Sequence, residues 1–159
     1  MIRLRPAVEN ELAALSALCL RSKAVWGYDE AFIAACREEL TLTPKDLRDN
    51  HLQIAEDDTG ILGVVELGIA GETAELWKLF VEPQRMGSGA GRALFGWAVA
   101  QARDLGAKTL RSESDHDAAA FYRRLGGKVA GTAPSGSVPG RALPLLTLDL
   151  SGADSSATQ

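Results

Sequence analysis

The order of apolar and polar positions divides the chain into short strands and amphipathic helices. Ile2 to Arg5 reads as a strand that Pro6 stops, since proline has no N–H to give a ladder. Leu12, Leu15 and Cys19 then recur at helical spacing, with Asn10 as a candidate cap. After the loop RSKAVWGY, Asp29 is placed to cap a second helix whose Phe32, Ile33, Cys36 and Leu40 fall on one face. His51 to Glu56 is strand-like, Asp57-Asp58-Thr59-Gly60 has turn chemistry, and Ile61 to Ile69 is rich in branched residues, which together predict a hairpin. Gly71 marks another turn, and Thr73 to Val81 gives a strand that Pro83 ends. Leu94, Trp97, Ala98 and Leu105 make the apolar stripe of a helix over Gly89 to Leu105. Lys108 to Glu113 is strand-like, and Asp117 to Leu125 is helix-like with Gly126-Gly127 as its stop. Strands near Lys128 to Gly131 and Leu143 to Leu150 close one domain over residues 1–150, and the polar tail SGADSSATQ (151–159) reads as disordered.

Composition adds exclusions. A chain of 159 residues with 46% apolar content suits one globular domain. The net charge of -4 offers no overall attraction to nucleic acid or to an anionic membrane, so an anionic ligand requires a local concentration of donors. Cys19 and Cys36 have no metal-ligand spacing and read as buried, reduced thiols of a cytoplasmic protein. No metal site is expected. The start of the chain has no apolar core of signal-peptide length, and no apolar run reaches the length that spans a bilayer.

The stretch QRMGSGAGRAL places Gly87, Gly89 and Gly91 at alternate positions between a strand and a helix. A helix start has about four N–H groups without intrahelical partners and a partial positive charge, so a glycine loop leading into one is a cradle for phosphate. Arg85 and Arg92 add charge at its rim. The P-loop pattern fails because no lysine follows the glycines, and the dinucleotide pattern fails because its last small residue is replaced by Leu94 or, in the other register, by Arg92.

VEPQRMGSGAGRAL resembles the acyl-coenzyme A signature of the GNAT (GCN5-related) N-acyltransferase superfamily, and SESDHDAAAFYRRLGG resembles that family's second signature. Met86 stands where the signature has Arg or Gln, with Gln84 and Arg85 displaced toward the N-terminus, and Asp115 stands where the family often has Asn. The resemblance implies an α/β fold with a mixed, mostly antiparallel sheet of about seven strands and about four helices. It implies acetyl-CoA as cofactor, its diphosphate on the amides of Met86, Gly87, Ser88, Gly89, Ala90, Gly91 and Arg92. Its pantetheine arm would pair with Leu79, Phe80 and Val81, with a backbone N–H near Leu79 holding the thioester carbonyl.

Acylation of an amine needs a deprotonated nucleophile, a polarised carbonyl and a proton for the departing thiolate. Tyr122 stands at the family's general-acid position, and a phenol keeps its proton at neutral pH. Glu75 is the preferred base, because simple alternation puts it on one strand face with Trp77, Leu79 and Val81; Glu66 is its rival, and His51 and His116 read as surface or loop residues. Trp26, Tyr28 and Trp77 are candidate walls for the acceptor, and Ser135, Ser137 and Arg141 are candidate contacts for an acceptor carboxylate, with a ligand-free rigid turn as the alternative for that loop. The expected activity is acetyl transfer to a primary amine of a small molecule, amino acid derivative or peptide by direct attack in a ternary complex. A coenzyme A-binding sensor or interaction module without turnover is the alternative. A homodimer is compatible with the sequence, which does not decide it.

Overall fold

The structure, a computed structural model, describes residues 1–25, 29–113, 116–134 and 142–151. The strands are β1 (Arg3–Pro6), β2 (His51–Asp57), β3 (Gly60–Ala70), β4 (Thr73–Val81), β5 (Thr109–Glu113), β6 (Lys128–Pro134) and β7 (Ala142–Asp149). The helices are α1 (Leu12–Ala24), α2 (Glu30–Leu40), α3 (Pro44–Asp49), α4 (Ala90–Asp104) and α5 (His116–Arg124), with single 3₁₀ turns at Glu9–Glu11 and Pro83–Arg85. All seven strands form one sheet in the order β1-β2-β3-β4-β5-β7-β6, antiparallel except for the β4–β5 pair.

Side chains alternate across this sheet and so build two separate apolar layers. On one face Leu15, Cys19 and Cys36 of α1 and α2 pack on Ile54, Val64 and Phe80. On the other, Leu94, Ala98 and Ala102 of α4 and Tyr122 of α5 pack on Val65, Leu67, Ala74 and Leu76. The neighbours Val64 and Val65 thus point into different layers, and both are fully buried.

Local chemistry explains the helix starts. Asp29 Oδ1 accepts the Phe32 amide proton at 2.8 Å, capping α2 as expected. Asn10 does not cap the first helix: a 3₁₀ turn comes first, and the Glu11 carboxylate takes the Val8 N–H at 3.0 Å. Helix α3 was not expected from apolar spacing, yet its signals are present: Thr43 caps it, Asp46 closes a reciprocal capping box and Pro44 occupies the first turn.

The register of β3 and β4 positions the site. From the turn at Gly71 the pairing runs Ala70 with Thr73, Gly68 with Glu75 and Leu67 with Leu76, but the next pair is Glu66 with Lys78. Trp77 is therefore the extra residue of a β-bulge. The bulge also corrects the expected strand face: Leu79 and Val81 pack in the α4 layer, while Glu75, opposite Gly68, lies on the same face as Lys78 and Phe80.

Candidate active site

Strands β4 and β5 pair only through Thr73–Thr109, Ala74–Leu110 and Glu75–Arg111. Beyond that point β4 continues along β3 to Val81, and β5 turns its last residues toward β7, so the two strands separate. The buried Ser112 hydroxyl donates to the Leu76 carbonyl at 3.3 Å where they part. The gap opens into a cleft of about 570 Å³ that passes through the sheet. One mouth is lined by Gly87, Gly89, Gly91 and Arg92 with Arg124 of α5; the other by Ser22, Lys23, Glu39 and Leu40 of α1 and α2 with Trp77 and Lys78.

At the first mouth the glycines have distinct tasks. Gly87 (φ +85°) and Gly89 (φ +95°) adopt left-handed backbone that other residues rarely reach, and nothing lies within 4 Å of the position a Cβ would take on Gly87. Gly91 instead makes room: a Cβ there would stand 3.3 Å from the Phe121 ring. The loop partly satisfies itself, since Met86 N–H bonds to Pro83 O at 3.5 Å, Ser88 N–H to Arg85 O at 3.1 Å and Ala90 N–H to Ser88 Oγ at 3.3 Å. Among the described residues the amides of Gly87, Gly89, Gly91 and Arg92 have no protein acceptor. The cradle expected from seven successive amides thus narrows to these four, and the alternate glycines supply three of them.

The flanking charges divide in the same way. The Arg85 guanidinium is held by Asp57 at 2.6 Å and Thr59 Oγ1 at 3.0 Å, so Arg85 ties the loop to the β2–β3 turn. Two hydrogen bonds from Thr59, through its hydroxyl and its amide, hold the Asp57 carboxyl below its ordinary range, with Arg85 adding to the effect. Arg92 and Arg124 are exposed at the cleft. The Met86 side chain is exposed beside them.

Tyr122, 8% exposed, lines the cleft and shares a smaller cavity with Leu76 and Ser112, where β4 and β5 part. Phe121 stands edge-on to its ring at 5.2 Å and Phe95 tilts against it at 5.8 Å. Leu79, Phe80 and Val81 line the cleft beside it.

Neither carboxylate expected to act as base lines the cleft. Glu75 pairs with Arg111 at 3.1 Å at the last shared step of β4 and β5, because the bulge turns it away from the face of Leu79. Burial pushes its carboxyl up from the ordinary value, Arg111 opposes this and Glu113 adds to it. Glu66, 2% exposed, accepts from Lys78 Nζ at 2.9 Å and from Asn50 Nδ2 at 2.8 Å. The carboxylates that do line the cleft among the described residues are Glu39 and Glu113, neither anticipated from sequence. Lys78 was likewise missed, because its place opposite the buried Glu66 depends on the bulge, which the sequence does not mark. Trp77 lines the cleft, 55% exposed. Trp26, Tyr28, Asp115, Ser135, Ser137 and Arg141 lie outside the described residues, as does the His116 side chain. His51 is in β2 and does not line the cleft. Among the described residues no group of three or more His, Cys, Asp or Glu is placed to hold a metal ion, and no helix is long and apolar enough to cross a membrane.

Residues 48–126 match the family model described as an acetyltransferase (GNAT) domain. A search among curated proteins finds no significant match. Among solved structures the fold is similar to that of PaiA N-acetyltransferase from Thermoplasma acidophilum in complex with coenzyme A: TM-score 0.78 and 22% identity, over 94% of this chain and 99% of that one. It is also similar to the ribosomal-protein-S18-alanine N-acetyltransferase from Escherichia coli: TM-score 0.70 and 18% identity, over 95% of each chain. A third is YncA from Salmonella typhimurium, a putative acetyltransferase solved with its cofactor acetyl-CoA: TM-score 0.67 and 22% identity, over 94% of each chain. With the glycine loop, the separated strands and the domain match in agreement, the chain belongs to the GNAT acetyltransferase family.

Proposed function

We propose that the protein is an acetyl-CoA-dependent N-acetyltransferase that acylates a primary amine of a small molecule, amino acid derivative or peptide by direct attack, with both substrates bound together. One observation carries this reading: the cleft passes through the sheet, with a helix N-terminus at one mouth, a mixed-charge pocket at the other and Tyr122 between them. Two substrates entering from opposite faces meet without a covalent enzyme intermediate. The presence of coenzyme A in the Thermoplasma structure and of acetyl-CoA in the Salmonella structure supports the assignment of the first mouth. Residues 1–150 form the catalytic domain in this reading, and the reaction is cytoplasmic.

Acetyl-CoA would supply the acetyl thioester, with the thiolate of coenzyme A as the leaving group. The chain's own groups then have separable tasks. The amides of Gly87, Gly89, Gly91 and Arg92 hold the diphosphate, at a helix end whose dipole favours negative charge. The edge of β4 from Leu79 to Val81, which among the described residues has no strand partner on its β5 side, pairs with the pantetheine amides. The bulged main chain near Leu79 donates to the carbonyl oxygen as charge develops on it. Tyr122 gives its proton to the departing thiolate; because the reference pKa of a phenol, near 10, lies above that of a thiol, near 8.5, this transfer is uphill by itself and is completed when the thiol leaves and solvent reprotonates the phenolate. Glu39, at the acceptor's mouth, takes the proton from the entering ammonium directly or through water. Trp77 and Lys78 shape the acceptor's seat.

The test is to follow free thiol while purified protein is incubated with acetyl-CoA and a panel of amines, amino acids and peptides. Amine-dependent thiol release with a matching acetylated product is the expected result. Coenzyme binding without thiol release on any acceptor would identify a coenzyme-sensing module instead.

A further inference from the structure

We infer that the Glu66–Lys78 ion pair is a positioning device for the acyl carbonyl: by clamping β3 to β4 immediately after the Trp77 bulge, it fixes where the main chain of Lys78 and Leu79 meets the cleft. This rests on the reading above that the β4 main chain near Leu79 holds the thioester carbonyl.

Three observations support it. First, the bulged segment is anchored on one side alone. Strand β5 stops pairing with β4 at Glu75, and past the Ser112–Leu76 bond the attachment of β4 is to β3, where pairing resumes at Glu66 and Lys78. The ion pair is the first cross-strand contact after the bulge. Second, the pair is buried and built in. The Lys78 side chain is 11% exposed and that of Glu66 2%; Glu66 uses one oxygen for Lys78 at 2.9 Å and the other for Asn50 at 2.8 Å. Burying two charges costs about as much as their attraction returns, so such a pair contributes little stability and is better explained by the register it specifies. Third, the bulge residue is seated by the same group. A Cβ on Gly68 would lie 2.6 Å from Trp77 Nε1 and 3.0 Å from Asn50 Oδ1, so the indole folds across the glycine beside the asparagine that holds Glu66.

Without the pair, the register of a two-residue-longer or shorter hairpin is not in question, but the bulge has no fixed position: setting Glu66 opposite Trp77 would continue the pairing that begins at the turn. A shift of that size would turn the Leu79 amide away from the cleft. A carbonyl donor displaced by about 1 Å costs on the order of 100-fold in rate.

The experiment compares wild type with the double variant Glu66→Leu/Lys78→Met, which replaces the pair by apolar groups, with Asn50→Ala, which releases one Glu66 oxygen and so weakens the clamp on Lys78, and with Lys78→Arg, which keeps a cation. Measured are Tm, coenzyme A binding by calorimetry, kcat and KM for acetyl-CoA, and amide hydrogen exchange at Lys78 and Leu79. The expected double variant folds, binds coenzyme A within about threefold of wild type, loses about 10- to 100-fold in kcat, and exchanges the Lys78 and Leu79 amides faster. Asn50→Ala should lose a few-fold in kcat in the same direction, and Lys78→Arg should retain most of the rate. A folded double variant with wild-type kcat and unchanged exchange at these amides overturns the inference, and if it does not fold, unchanged kcat and exchange in Asn50→Ala does so. Wild type that binds coenzyme A but never releases thiol would defeat the acyl-transfer reading instead, while the exchange comparison would still decide whether the pair holds the bulge.

Discussion

The two mouths of the cleft are built from different materials. The α4 mouth is backbone: four amide protons from six consecutive residues, two of the glycines in left-handed conformation, and a helix dipole behind them. The α1–α2 mouth is side chain: Ser22, Lys23 and Glu39 from two helices, with Trp77 and Lys78 from a bulged strand. A site made of main chain recognises a group of fixed geometry, such as a diphosphate, and tolerates change in the side chains around it. A site made of side chains from distant segments can be rewritten residue by residue. The difference teaches that the first mouth is fixed by backbone geometry, while the second depends on which side chains distant segments bring to it.

The sharpest way to test this division is at the group that belongs to neither mouth. Tyr122→Phe removes one oxygen from a ring already packed between Phe95 and Phe121, so folding and coenzyme binding should persist. Steady-state kinetics should show kcat lower by about 100-fold or more, the range for loss of a positioned acid. An intact rate would mean that water protonates the thiolate.

Next in size is the backbone mouth. Gly89→Val forces a branched residue into φ +95°, at a cost of about 1–3 kcal/mol that the loop can escape only by moving its amides. Calorimetry should show coenzyme A binding weaker by about 10- to 100-fold, the equivalent of that strain. Arg92→Ala should cost no more than about fivefold, as expected for an exposed charge. If the arginine mattered more than the glycine, the mouth would be a charge cluster and the contrast would fail.

On the side-chain mouth, Glu39→Gln should lower kcat/KM by about 10-fold near neutral pH and flatten the acidic limb of its pH profile, because the amide cannot take a proton. Binding of coenzyme A should not change. A limb that stays in place would transfer the role to Glu113 or to an ordered water.

How much of this was legible in the sequence follows the same line. The glycine loop could be read because its parts are contiguous and each glycine has one local reason. The strands could be read because Thr73–Val81 ends at a proline and begins after a turn glycine. The side-chain mouth could not. Hairpin pairing counted from the Gly71 turn sets Glu66 opposite Trp77, and alternation sets Glu75 beside Leu79; both fail at one extra residue. Nothing in LWKLF marks the bulge, since the partners that face its next residue, Lys78, are Glu66, twelve residues before that lysine, and through it Asn50 further back still. Helix α3 escaped for another reason: at six residues it is too short to show a period, and its local evidence was confined to its start, the capping box and Pro44.

Glu75, which does not line the cleft, supplies the smallest effect. Its carboxyl is raised in the folded protein, first by burial, while the unfolded chain has the ordinary value. Below that ordinary value both states are protonated, and the residue's contribution is at its most favourable. As pH rises, the unfolded chain releases its proton first, and once the folded value is passed the native state must hold a buried carboxylate that Arg111 only partly compensates. The contribution is therefore lost as pH rises through the raised folded value. Glu75→Gln has no proton to lose, so its Tm relative to wild type should move in the variant's favour between about pH 4 and pH 7, by roughly 1–3 °C. Thermal scans of the two proteins in matched buffers measure it. A constant gap would mean that Arg111 fully offsets the burial, and a gap moving the other way would mean that the carboxylate is held at an ion pair stronger than the strand junction shown here.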